Sequence, residues 1–103
     1  MIDAQIGRLL TRLERTGLAE NTIVIFTADH GETLGSHAGL VDKGYHHFEE
    51  IQRIPLIVRG PGVNEEAVRK ELASLADIMP TICDLAGDKG KCNTPRAAPS
   101  RPC

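Results

Sequence analysis

The pattern of apolar and polar residues predicts a helix at each end of the chain. Near the start, apolar residues spaced three and four apart form one helical stripe, which we expect to pack into the core: Ile2, Ile6, Leu9, Leu10 and Leu13. Gly17 is a natural stop for this helix. A second stripe predicts a helix over 74–85, with Asp77 as its N-cap, Pro80 in its first turn and Gly87 beyond its end.

Two short apolar runs between these helices, 23–26 and 54–58, predict strands. Neither run alternates with polar residues, which is typical of strands that helices cover on both faces of a parallel sheet. The predicted fold class is therefore α/β, with mostly parallel strands flanked by helices. Two strands and two helices make an incomplete sheet, so we expect the chain to be a piece of a larger protein that is poorly stable or associates in isolation.

The first predicted strand is followed directly by Asp29, His30 and Gly31. Open α/β sheets place their ligands at the carboxyl ends of strands. In a turn at that position, a carboxylate and a neutral imidazole can reach one point. Such a pair suits a divalent cation, or a general base with its orienting partner. The alternative is that Asp29 caps the next segment and His30 is an ordinary loop residue.

The segment 32–47 is rich in glycine and histidine and has few large apolar residues. It cannot contribute much core, so it is either a flexible surface loop or a loop that builds a site, and its place after a strand favours the second. Lys43 in this segment would meet an anionic group as a compact point charge. The alternative for Lys43 is an ordinary solvated lysine.

Composition narrows the class of protein further. The chain has 103 residues, 41% hydrophobic and 25% charged, and a net charge of −2, which argues against a nucleic-acid surface. It contains no apolar run long enough to cross a bilayer. The three cysteines have no zinc-ligand spacing and leave the compartment open. Residues 88–103 are rich in proline and basic residues, and we interpret them as a disordered tail.

Three ordered blocks carry a resemblance to a known family: GLAENTIVIFTADHGETLGSHAGLVDKG, FEEIQRIPLIVRGPGV and LADIMPTICDLAG. Together they resemble the C-terminal part of the catalytic domain of the sulfatases, within the alkaline phosphatase superfamily, and are similar also to phosphonate monoester hydrolases. The resemblance covers 1–87. It implies a partial alkaline-phosphatase-like α/β sandwich and a divalent metal, Ca²⁺ or alternatively Mn²⁺.

The resemblance also implies roles for individual residues. Asp29 and His30 would be metal ligands, and Lys43 would contact the anionic oxygens of the substrate and stabilise the leaving group. His37, in the block that follows Asp29 and His30, would line the substrate pocket. The acidic and basic residues of the EExxRxP pattern are expected to form structural salt bridges: Glu49, Glu50 and Arg53.

The sequence departs from the family where the nucleophile is expected. Sulfatases use a formylglycine made from the cysteine of an early CxPSR signature, and early aspartates complete their metal site. This chain has neither, since Ala97 stands where the cysteine would precede Pro99-Ser100-Arg101. The resemblance therefore implies a fragment of a hydrolase for sulfate esters or related anionic small molecules. We expect it to be inactive without an N-terminal half or a partner chain.

Two alternatives stay open, and a third is set aside. The first is a fragment of a phosphonate or phosphate ester hydrolase. The second is a non-catalytic, sulfatase-like module that binds a partner through its exposed sheet edge. The third, a serine hydrolase that uses Ser36 or Ser74 with His30, has no nucleophile-elbow pattern to support it.

Overall fold

The computed structural model describes residues 1–41, 44, 46–64 and 68–88. The chain divides into two compact units, with the boundary after residue 67. The first unit contains four helical segments and two strands: helix α1 (Ile2–Arg15), a 3₁₀ turn (Leu18–Asn21), strand β1 (Val24–Thr27), the single turns α2 (Ser36–Gly39) and α3 (Glu49–Gln52), and strand β2 (Leu56–Arg59). The second unit contains a 3₁₀ turn (Leu75–Asp77) that leads into helix α4 (Ile78–Leu85).

Helix α1 forms where the apolar stripe predicted it and ends before Gly17, which adopts a left-handed φ of 72°. The stripe is only partly covered, however. Ile6, Leu10 and Leu13 are half-buried, whereas Leu9 is 61% exposed. The prediction that this stripe lies in a core is therefore wrong for the described structure.

Strands β1 and β2 pair antiparallel, with Val24 opposite Arg59 and Thr27 opposite Leu56. Both strands lie within one or two residues of their predicted positions, but the expected parallel arrangement is wrong for this pair. A parallel pair needs a crossover of a dozen or more residues, usually a helix, to return the chain to the same end of the sheet. Within the described part of the connection 28–55, the helical segments are single turns, and the chain simply reverses.

The first unit is held together at the far end of the sheet by a close main-chain approach and an ion pair. A β-carbon on Gly60, whose φ is 148°, would come within 2.8 Å of the Ile23 Cα, so only glycine fits there. Beside it, Arg59 Nη2 donates to Glu14 Oε1 at 2.6 Å and links β2 to α1. Both side chains are more than half exposed, so this pair contributes at most about 1 kcal/mol.

Burial is sparse throughout the described ranges 1–41, 44, 46–64 and 68–88. No apolar side chain there is buried, and the polar residue Thr33, 4% exposed, is the most enclosed. Residues of the sheet remain open to solvent, among them Phe26 at 40% and Ile57 at 58%. Strands normally bury at least one face, so these elements lack the covering layers that stabilise an α/β sheet.

Asp77 is the N-cap residue of α4, as the sequence predicted, but its side chain does not cap that helix. The side-chain cap lies one turn earlier, in a capping box around the 3₁₀ turn. The Ser74 hydroxyl accepts from the Ala76 amide at 3.2 Å, and the Asp77 carboxylate accepts from the Ser74 amide at 2.8 Å. Pro80 lies in the first turn of α4, where its missing N–H costs nothing.

Gly87 follows the end of α4 with a left-handed φ of 78°, as the sequence predicted. The predicted disordered tail lies almost entirely outside the described residues, which end at Asp88. None of the helices in the described ranges is long and apolar enough to span a membrane.

The sparse burial leads to a first prediction. Because apolar strand and helix faces are exposed, we expect the isolated chain to gain stability only by self-association, so its thermal midpoint should rise with protein concentration. Circular dichroism melts at several concentrations, with sedimentation velocity on the same samples, measure this. A sharp, concentration-independent transition of a monomer would contradict the prediction.

The capping box gives a second prediction. Ser74→Ala removes the acceptor for the Ala76 amide and should destabilise the start of α4 by about 1 kcal/mol. Amide hydrogen exchange in the first turn of α4 should then be about fivefold faster. Ser74→Thr keeps the hydroxyl and is the control. Equal exchange in the alanine and threonine variants would show that the cap does not hold this helix.

Candidate functional site

The pair Asp29–His30 lies in the turn just beyond β1, and the two residues orient each other. The His30 amide donates to Asp29 Oδ1 at 3.0 Å. The His30 ring donates from Nδ1 to the Gly31 carbonyl at 2.7 Å. A carbonyl oxygen can only accept, so Nδ1 carries the hydrogen, and Nε2 is the unprotonated nitrogen of the neutral ring.

The second oxygen of Asp29 lies beside this nitrogen. His30 Nε2 and Asp29 Oδ2 are 3.6 Å apart, and the Asp29 side chain is 85% exposed. The two side chains thus reach one point at the surface, as the sequence indicated they can. No helix begins at Asp29 in the described structure. The bond from the His30 amide to Asp29 Oδ1 also fits the alternative in which Asp29 caps the segment that follows it.

Gly31 fixes the position of this turn against α3. Its amide donates to the Ile51 carbonyl at 2.7 Å. A β-carbon at Gly31 would overlap the main-chain carbonyl oxygen of Glu50. Glycine is required here by close approach of two backbones. The turn that carries Asp29 and His30 therefore rests directly on the main chain of α3.

The loop after the turn is closed by Thr33 and Leu40. The Leu40 carbonyl accepts from Thr33 Oγ1 at 2.7 Å and from the Gly35 amide at 2.8 Å. Inside this closure, His37 and Ala38 adopt left-handed φ values of 54° and 64°. Each such residue costs about 1–2 kcal/mol relative to a right-handed conformation, so other contacts must hold the loop in this shape.

His37 supplies such contacts. Its ring stacks on Phe48, with centroids 3.8 Å apart and planes 8° from parallel. Its Nε2 donates to the Glu50 carboxylate, with distances of 3.1 and 3.2 Å to the two oxygens. These three residues, together with Glu49 and Arg53, line a shallow open cleft. Loop and α3 are thereby joined by side chains as well as by Gly31.

Hydrogen bonds around Glu50 stabilise its ionised carboxylate relative to the protonated acid. A hydrogen bond from its own main-chain amide, followed by the bond from His37, lowers its pKa from the ordinary 4.5. A carboxyl whose pKa is lower in the folded chain stabilises that state above the ordinary pKa, and the contribution is lost as the pH falls through the lowered value. The anchor between α3 and the loop is therefore intact at neutral pH and weakens in acid below 4.5.

The remaining predicted residues lie on or just after α3, or fall outside the described ranges. Arg53 donates to Glu49 at 3.0 Å, as expected for a structural salt bridge, whereas Glu50 pairs with His37 instead. Lys43, the predicted substrate contact, lies outside the described residues. No group of three or more His, Cys, Asp or Glu converges within the ranges that the structure describes.

Sequence reasoning missed Thr33, Phe48 and the bond between His37 and Glu50. Thirteen positions separate the two partners of that bond, so no local periodicity marks it. The glycine spacing of the loop indicates a turn but not which residues close it. The acidic pair beside an aromatic residue, Phe48-Glu49-Glu50, is the nearest signal in the sequence.

Comparison with known proteins gives the chain a family. The family model described as Sulfatase matches residues 1–88. The multifunctional alkaline phosphatase superfamily protein PehA of Trinickia caryophylli is 39% identical over 102 residues, which cover 97% of this chain and 19% of PehA. The N-acetylglucosamine-6-O-sulfatase of Bacteroides thetaiotaomicron is 41% identical over 87 residues, 84% of this chain and 15% of that enzyme.

Arylsulfatase K of Bos taurus is 36% identical over 85 residues, which cover 82% of this chain and 15% of the relative. The chain thus spans less than a fifth of the length of these relatives. No solved structure matches it significantly. Since the family model covers the strands, the Asp-His turn and both helices, the protein belongs to the sulfatase family.

Proposed function

We propose that this chain supplies the C-terminal part of a sulfatase-type active site, which in the complete domain cleaves sulfuric esters at a divalent metal. The observation that carries the proposal is the meeting of His30 Nε2 and Asp29 Oδ2, 3.6 Å apart, at the carboxyl end of β1. Family membership supports the hydrolytic class. The metal, the substrate and the role of each side chain are part of the proposal.

The donor pair fits a divalent cation. A carboxylate oxygen and an unprotonated imidazole nitrogen 3.6 Å apart both offer lone pairs and could hold one cation between them. The bond from His30 Nδ1 to the Gly31 carbonyl leaves Nε2 as the ligand nitrogen. Such an outer hydrogen bond is the usual way in which a metal-binding histidine is oriented.

In this proposal Asp29 and His30 bind the metal, and other residues contact the substrate. When bound, the cation supplies a Lewis acid that polarises the ester group. Asp29 and His30 hold it, and Lys43 offers a positive charge to the substrate oxygens and the leaving group, a role that rests on its place in the DKG block. His37 lines the pocket from the loop side.

Calcium is usually bound by six or more oxygen ligands. The described residues bring two donors together beside β1, Asp29 Oδ2 and His30 Nε2. The remaining ligands and the formylglycine nucleophile would come from an N-terminal half or a partner chain. We therefore propose that the chain is inactive by itself. Ca²⁺ is the first candidate metal, and Mn²⁺ is the second because a histidine ligand suits a softer ion.

A second candidate function is hydrolysis of phosphonate or phosphate esters. It is favoured by the similarity to PehA, which is named as a multifunctional protein of the alkaline phosphatase superfamily. A cation held by Asp29 and His30 and the positive charge of Lys43 would serve either anion. The exposed residues of the sheet favour the non-catalytic interaction module if Asp29 and His30 bind no metal.

Metal binding is the direct test. We expect Mn²⁺ titrated into the chain to broaden the NMR signals of His30 before those of the other histidines. The reason is that a Mn²⁺ ion bound at the proposed site would lie next to His30 Nε2. Asp29→Ala should raise the apparent Kd for Mn²⁺ at least tenfold, since it removes the charged ligand. His47, which accepts from Gln52 at 2.9 Å, gives the control His47→Ala. Equal broadening of all four histidines would refute the site.

Catalysis is tested in a complete domain. In a chimera that carries this chain in place of the matching segment of the Bacteroides thetaiotaomicron sulfatase, Lys43→Ala should lower kcat about a hundredfold, the usual cost of removing one charge-stabilising donor. Lys70→Ala, at an exposed position of the second unit, is the matched control. Unchanged turnover of a sulfate ester by the Lys43→Ala chimera would exclude the proposed role.

A further inference from the structure

Turn α3 touches the site loop at two separate places, and both contacts involve the same residue. At the start of the loop, the Glu50 carbonyl packs against Gly31, whose amide is bonded to Ile51 at 2.7 Å. Further along, the Glu50 carboxylate holds His37 through Nε2 at 3.1 Å. Glu50 therefore restrains the loop twice. Its main-chain carbonyl contacts Gly31, next to Asp29 and His30, and its carboxylate holds His37, six residues after Gly31.

The loop needs such restraint because its conformation is unfavourable by itself. His37 and Ala38 both have positive φ, and neither is glycine. His37 is also stacked on Phe48, which immediately precedes α3. Release of the His37 side chain would remove the contact that keeps these two residues left-handed, and the segment between Gly31 and Leu40 would relax.

The neighbouring carboxylate does not share this task. Glu49 lies in the same turn and is more exposed than Glu50, 75% against 46%, and its contact runs forward to Arg53, just after α3. Glu49 and Glu50 are thus chemically identical and adjacent, and they differ in whether they reach the loop. This difference separates a general effect of charge or helix stability from a specific effect on the loop.

We propose that Glu50 is a positioning residue: by holding His37 it fixes the 31–40 loop on α3 and so sets the place of Asp29 and His30. The part that concerns the metal pair rests on the proposed function, whereas the anchoring of the loop does not. Glu50 itself touches neither metal nor substrate in this assignment. Glu50 acts on Asp29 and His30 indirectly, by holding the 31–40 loop and by contacting Gly31.

The test compares Glu50→Ala, Glu50→Gln and Glu49→Ala by two measurements, at a protein concentration where the amides of β1 are protected in the unaltered chain. The first is hydrogen exchange of the loop amides of Gly35, Gly39 and Leu40, which are bonded within the loop. The second is the Kd for Mn²⁺, from paramagnetic broadening at His30.

Glu50→Ala should speed exchange of the loop amides at least tenfold and weaken Mn²⁺ binding about fivefold or more. Glu50→Gln keeps an oxygen that accepts from His37 and should restore most of both. Glu49→Ala should change neither. Faster exchange with an unchanged Kd would overturn the positioning role, because a purely structural contact would give that result. Equal effects of Glu49→Ala and Glu50→Ala would also overturn it.

Two further outcomes are decisive. If the unaltered chain binds Mn²⁺ without preference for His30, the proposed function fails, while the exchange measurement still decides whether Glu50 anchors the loop. If the loop amides are unprotected in the unaltered chain, the anchor itself is wrong. Should Glu50→Ala also unfold β1, His37→Phe keeps a ring against Phe48 but has no N–H to donate to Glu50, and it must reproduce both changes, or the proposal fails.

Discussion

The candidate site depends on one close contact between two stretches of backbone, Gly31 and the main chain of α3. Only glycine permits this approach, because a β-carbon would overlap the carbonyl of Glu50. From it follow the orientation of His30, whose Nδ1 is bonded to the Gly31 carbonyl, and the nearness of α3 to His37. Side chains refine the site, but this backbone contact brings its two halves together.

Local sequence patterns predicted the local features well. The apolar runs located both strands, and the Pro80 and Gly87 positions of the last helix are confirmed. Asp29 and His30 follow the strand with their side chains 3.6 Å apart, and their role as metal ligands stays a prediction. Each of these features is encoded by residues a few positions apart. Lys43 and the tail fall outside the described residues, so their predicted roles stay predictions.

Non-local features were predicted poorly, and the physical reason is the same in each case. Hydrophobic runs without polar alternation indicate that a strand belongs in a layered sheet but do not fix the direction of its neighbour, so the antiparallel pairing was missed. The bond between His37 and Glu50 joins positions with no common period. The expected core does not form in the described residues, because an apolar stripe predicts which face can be buried but not which element covers it.

The 31–40 loop and α3 both belong to the connection between the two paired strands, 28–55. Closing a connection of this length costs about 3 kcal/mol of chain entropy, which must be met before any strand contact forms. Strand pairing and assembly of the site are therefore one folding event rather than two. A cation held by the loop would accordingly stabilise the sheet by mass action, and loss of the sheet would release the cation. If the segment holds a cation, strand pairing and cation binding would therefore depend on each other through the connection that joins β1 to β2.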